Sequence, residues 1–154
     1  GLGLSAAGVL SGAPSTAGTS TFTVQAASGT LTGSKAFSLT ASYPTAVALT
    51  FQPGPSNSQC YALNVIMTPN IAVRVTDQAG RPLSGVQVNI VAVTNNGSKV
   101  VPSQPFAISG ANGLAVFNTL SINKTGGYRL IASTQSPWPV VSIQSGKFNI
   151  SPGC

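Results

Sequence analysis

Helix signals are nearly absent from this chain, and that constrains the fold more than anything else. Seventeen glycines and eleven prolines punctuate the sequence, and the segments between them are short and rich in Val, Ile, Thr and Phe, residues suited to a pleated, half-buried surface. Within the segments apolar and polar residues alternate, which places one set of side chains on a core face and the other in water. Residues 16–27 (TAGTSTFTVQAA) and 125–133 (TGGYRLIAS) are two spellings of one phrase, a Gly-containing turn followed by such alternation. The echo predicts two related β units in tandem.

Strand by strand, the first unit is expected to hold a short strand at Gly8–Ser11. Two longer strands follow, Ser20–Ala27, with Phe22, Val24 and Ala26 on one face, and Lys35–Ala41, with Phe37 and Leu39. A loop, Ser28–Ser34, carrying Gly29 and Gly33, joins them as a hairpin. Tyr43–Pro44 marks the boundary, because the residue before proline is pushed towards extended geometry. The second unit is expected to run through Ala46–Phe51, a Pro/Ser/Asn-rich connection at Gln52–Gln59, and Tyr61–Met67. Further strands are expected at Ile71–Thr76, Val86–Val93, Phe106–Ser109, Leu114–Asn118, Tyr128–Ser133 and Val141–Ile150. Turns are read at Asp77–Pro82, Asn95–Gly97, Gly110–Gly113 and Asn123–Gly127. Seven to eight strands at about this spacing indicate a β-sandwich of the immunoglobulin type.

Composition decides what such a scaffold can do. Charged residues are 5% of the chain, Asp77 is the sole acid and histidine is absent. General acid–base chemistry draws on His, Asp or Glu, and paired carboxylates are excluded by a count of one. Serines abound, but no histidine can activate them, so no catalytic residue is assigned; a Ser–Lys pair has no motif behind it. A metal site is equally undersupplied and no cofactor is implied. The net charge of +6 comes from missing acids, and Lys35, Arg74, Arg81, Lys99, Lys124, Arg129 and Lys147 stand singly along the sequence. Nucleic-acid sites cluster such residues, so no nucleic-acid partner is expected. No apolar stretch is long enough to span a membrane, and the start GLGLSAAGVLSG carries no leader signature. With so few carboxylates, the melting temperature at acid pH should stay near its neutral value, unless Asp77 has a strongly lowered pKa. That residue reads as a turn former whose carboxylate accepts backbone N–H bonds.

Three other features need a place. Cys60 and Cys154 are either two buried thiols or one disulfide. The bridge is the expectation, since it would tie down a fraying terminus, suit an extracellular setting and contribute roughly 4 kcal/mol in the chain-entropy model. Trp138, braced by Pro137 and Pro139, either contacts a ligand or closes one end of the sandwich. Tyr128, just after a turn, reads as structural, like the tyrosine corner of immunoglobulin folds.

The residues also carry a family resemblance. GVLSGAPSTAGTSTFTV at 8–24, with Gly3–Leu4–Ser5 before it, resembles the later part of an immunoglobulin-like repeat of large bacterial surface proteins. Ser20 stands where that repeat usually has an aromatic. Residues 45–151 resemble invasin- and intimin-like immunoglobulin repeats through VRVTDQAGRPLSGVQVNIV at 73–91, GANGLAVFNTLSI at 110–122 and KTGGYRLIAS at 124–133. The resemblance implies tandem immunoglobulin-like β-sandwiches: a partial unit at 1–42 holding only the later strands, and a complete one at 43–154. It implies a non-catalytic structural module of an extracellular or cell-surface assembly (fibre, stalk or adhesin shaft). The rival is a ligand-binding module, an adhesin tip or a carbohydrate-binding accessory domain, using Trp138. Forty-two residues are too few for an independent core. Strands from another chain, neighbouring immunoglobulin-like domains or a preceding portion of the same chain are therefore expected to complete the first unit.

Overall fold

The computed structural model describes residues 1–12, 14, 16–42 and 47–154, and among these there is no helix. The chain is all-β and divides into two compact units, Gly1–Tyr43 and Pro44–Cys154. The Tyr43–Pro44 boundary read from the sequence lies outside the described residues, as do Ala46, Ala13 and Ser15.

The first unit contains two separate two-stranded sheets. β1 (Leu2–Leu4) pairs with β2 (Leu10–Gly12), with Leu4 opposite Leu10. The strand expected from Gly8 starts at Leu10 instead, because Gly8 is spent on the connecting turn: it adopts φ 78° and its N–H bonds Ser5 O at 2.9 Å. β3 (Gly18–Ser28) and β4 (Leu31–Ala41) form a hairpin of eleven residues a side. Its loop is two residues long, not the seven of Ser28–Ser34. Gly29 at φ 61° supplies the positive angle that a two-residue hairpin turn wants at its first central position. Gly33 needs no turn of its own and sits in β4 opposite Ala26.

Residues directly opposite each other share a face of an antiparallel pair. In the hairpin, Leu39, Phe22, Phe37 and Val24 therefore lie on one side, with the Phe22 and Phe37 rings stacked 5.9 Å apart. The other side carries Thr19, Thr40, Thr21, Ser38, Thr23 and Gln25, and the Thr19 and Thr40 hydroxyls bond at 2.9 Å. The hairpin is amphipathic, yet no described residue of this unit is buried.

The second unit is sandwich-like. β5 (Val47–Phe51), β7 (Ile71–Asp77) and β11 (Leu114–Phe117) form a three-stranded sheet in the order β11-β7-β5. The larger sheet runs β10 (Phe106–Ile108), β8 (Gln87–Thr94), β12 (Gly126–Thr134), β14 (Phe148–Ser151) and β6 (Gln59–Ala62). The short β9 (Lys99–Val100) adds to β8, and β13 (Ser142–Gln144) to β12. The core lies between the sheets: Ile71, Val73 and Val75 from β7, Val88, Ile90 and Ala92 from β8, Tyr128, Leu130 and Ala132 from β12. Alternation written in the sequence thus decides which side chains are dry.

Two expected strands are interrupted, for different reasons. The strand placed at Tyr61–Met67 covers Gln59–Ala62 and then turns at Asn64, whose φ of 61° a short polar side chain tolerates. Met67 is buried in the core without belonging to a strand, its N–H bonded to Leu120 O at 2.8 Å. The strand placed at Val141–Ile150 breaks at Ser145–Lys147. There Ser145 Oγ accepts the Leu130 N–H at 2.8 Å, and the Gly146 N–H bonds Pro55 O at 3.1 Å. A Cβ on Gly146 would stand 2.8 Å from the Asn57 backbone N, so only glycine allows the Gln52–Gln59 connection to dock here.

The two units differ in what holds them, and a pair of truncations reads out the difference. Leu130 is fully enclosed in a central strand, so Leu130→Ala should cost about 3 kcal/mol and lower the main thermal transition by roughly 10 °C. Phe37 is 44% exposed, and Phe37→Ala should leave that transition unchanged in a calorimetric scan.

Candidate functional site

The one acidic side chain closes a turn. Asp77 ends β7 and enters the tight reversal to Pro82, which pairs back with Thr76. Its Oδ1 accepts the N–H groups of Arg81 at 2.9 Å and Ala79 at 2.8 Å, and Arg81 Nε donates to Oδ2 at 2.8 Å. The Arg81 backbone bond is the largest influence holding this carboxyl below the usual range. Burial pushes the other way, and the guanidinium and the Ala79 N–H add to the lowering. With its lone pairs so engaged, Asp77 has the geometry of an Asx turn. Gly113 packs beside it: a Cβ there would meet Val75 O at 2.7 Å, and its φ is 75°.

Cys60 and Cys154 are joined as a disulfide, with Cα atoms 5.8 Å apart and a sequence separation of 94. Both are exposed, so the thiols expected to be either buried or bridged are bridged at the surface. The bond ties the two strands that pair in parallel at the sheet's edge, where Asn149 lies opposite Cys60 and Ile150 opposite Tyr61. Beneath it an aromatic row crosses the same strands: Tyr61 meets Phe148 edge-on at 5.6 Å, and Phe148 lies 6.2 Å from Tyr128. Burial raises the phenol pKa of both tyrosines, which keeps Tyr128 protonated as a donor. Its hydroxyl donates to Lys124 O at 3.0 Å, back across the turn that precedes its strand.

Trp138 is half-buried and packs against the core cluster at one end of the sandwich. Its loop is pinned from below by the buried Thr134, whose hydroxyl donates to Pro139 O at 2.6 Å and accepts the Val141 N–H at 3.0 Å. Among the described residues no group of His, Cys, Asp or Glu is gathered that could hold a metal ion.

The feature that sequence reading did not foresee is a cavity. In the first unit an open cleft of about 660 Å³ is lined by Leu2, Leu4 and Leu10 from β1 and β2, and by Phe22, Val24 and Leu39 from the hairpin. Thr16, Thr19, Ser20 and Thr23 also line this trough, so its wall mixes apolar and hydroxyl side chains. Among the described residues neither β3 nor β4 has a third strand beside it. Across both strands Lys35 is the single charge, its Nζ 5.6 Å from the Phe37 ring centre, and neither contains proline. Long edges with so little charge and no proline are the kind that accept another strand. The signal was present in the sequence as an amphipathic hairpin with nothing to face; of the two leucine-bearing strands that shape the trough, β2 was expected and β1 was not.

The chain matches no protein-family model and no curated protein.

Two measurements follow from these sites. Because the folded pKa of Asp77 lies below its unfolded value, its contribution is intact above about pH 4 and is lost as pH falls through the folded pKa. The melting temperature should be flat from neutrality to about pH 4, then fall by a few degrees towards about pH 2.5, and Asp77→Asn should abolish the fall. Opening the Cys60–Cys154 bridge should destabilise the second unit by about 4 kcal/mol in urea melts, with non-reducing peptide maps showing the two cysteine peptides linked beforehand.

Proposed function

We propose that this chain is a non-catalytic structural module of an extracellular or cell-surface bacterial assembly. In this reading it consists of two tandem immunoglobulin-like units, the first of which is completed by a β-strand from a neighbouring chain. The observation that carries the reading is the hairpin of the first unit: eleven paired residues a side, one apolar face, two unpaired edges and no buried residue. An isolated two-stranded ribbon is marginal in water, and a strand laid along the trough would supply both the missing hydrogen bonds and the missing cover.

Further features support it. The second unit pairs its β6 and β14 in parallel within a sandwich-like fold, and Tyr128 bonds a carbonyl four residues upstream as a tyrosine corner does. A disulfide persists in oxidising compartments and fits an extracellular address. No helix among the described residues is long and apolar enough to cross a membrane. The resemblance to repeats of bacterial surface proteins points the same way. The absence of histidine and the engagement of the only side-chain carboxylate in a turn leave no acid–base pair for catalysis. In such a module the work is mechanical. A heterologous contact that lends a strand to the next subunit propagates as an open array.

Sedimentation velocity tests the reading. The wild-type chain should form species larger than a monomer that grow with concentration. Leu39→Asp, which puts a charge into the trough, should stay monomeric with the melting temperature of the second unit unchanged. A wild-type chain that remains monomeric up to its solubility limit would count against strand exchange between chains.

A further inference from the structure

Three of the seven cations, far apart in sequence, come together in space. Lys99 lies opposite Val93, and Val93 lies opposite Arg129, so all three project from one face of the large sheet. Two strand spacings put the Lys99 and Arg129 backbones about 10 Å apart. Lys147 is exposed and immediately precedes Phe148, the partner of Tyr128, so a third cation stands just before the next strand begins. This face points away from the core, since the intervening Ala92, Tyr128 and Leu130 are buried. No acidic side chain balances the row: Asp77, the only one in the chain, belongs to the other sheet and is held by Arg81.

Beyond Val91 and Ile131, which lie next along this face, its far part is suited to hydroxyls. Arg129 Nη1 donates to Gln144 Oε1 at 2.9 Å, which fixes the guanidinium and leaves its other donors to point elsewhere. Four residues along β8 from Val93, roughly 13 Å away, Gln87, Asn89 and Gln135 form a chain of amides at 2.9 and 3.1 Å. Beside Asn89 stands Phe106, half exposed on the same face. Cations in a row, amides that offer both donors and acceptors, and a single exposed ring together match a chain of sugar rings bearing carboxylates. A single-stranded nucleic acid asks for several stacking rings along its path, and this face has one.

We infer that the outer face of the large sheet binds an acidic polysaccharide, with Lys99, Arg129 and Lys147 contacting carboxylates, the amides contacting hydroxyls and Phe106 lying against a sugar ring. The inference is independent of strand exchange in the first unit. Exposed cations attract weakly and are screened by salt, so a polymer with repeating anions is held where a monosaccharide is not.

Titration calorimetry of the full chain at low salt against polygalacturonate, dextran and oligothymidylate of matched charge tests this. Polygalacturonate should bind, dextran should not, and oligothymidylate should bind more weakly. Lys99→Gln with Arg129→Gln should weaken polygalacturonate binding about tenfold, and the charge-matched pair Lys35→Gln with Arg74→Gln less than about threefold. Amide shifts in the unmutated protein should concentrate at Val93, Arg129 and Asn89, a readout that does not depend on any variant folding. Equal losses in the two double variants, tighter binding of oligothymidylate, shifts spread elsewhere or no binding of polygalacturonate would overturn the assignment.

Discussion

The pairing of β12 with β8 is the interaction on which the rest of the second unit depends. Seven consecutive residue pairs, from Tyr128 opposite Thr94 to Thr134 opposite Val88, settle the facing of every side chain in the two central strands. Because the side-chain period is two, a slip of one residue would send Leu130 and Ile90 to solvent and Arg129 into the core. Burying an unpaired guanidinium is costly enough to forbid that alternative. The register therefore defines the dry interior and, as its mirror image, the cationic row outside. Aromatic contacts from Tyr128 to Phe148 to Tyr61 extend the same order to the edge. There the disulfide closes the strands that pair in parallel.

Nothing comparable organises the first unit. Its hairpin has a register as definite, with eleven pairs, and a turn chemistry that suits it. Among the described residues of this unit, no second layer covers its apolar face. A sheet that is apolar on one face must bury that face against something, and here the leucines of β1 and β2 shape a trough without filling it. Local rules are satisfied and the global one is not. That inconsistency points to a functional site, because proteins break such rules where they interact.

How much of this was legible in the sequence depended on the distance over which each feature is decided. Strands β7, β8 and β12 were read nearly to their ends because alternation is local. The Asp77 turn was read because aspartate and glycine at that spacing have one good geometry. Gly33 misled, since a glycine in an extended strand looks in sequence like a glycine in a turn. The break at Ser145–Lys147 was invisible, because its cause is the backbone of Pro55–Asn57, some ninety positions away in the chain. The cationic row was invisible for the same reason: three of the isolated charges become neighbours only after strand order and register are known. Cys60 and Cys154 could pair only with each other, yet nothing local told that both lie at the surface beside a parallel strand pair.

The central claim is that the hairpin of the first unit gains a partner strand when chains associate. Hydrogen–deuterium exchange followed by mass spectrometry addresses it at the backbone, comparing associated wild-type chain with the monomeric Leu39→Asp variant. The account predicts that amides across residues 18–41 are slow to exchange in the associated form and fast in the monomer, while residues 126–134 are slow in both. Fast exchange across 18–41 in both forms, with association carried by some other surface, would contradict it.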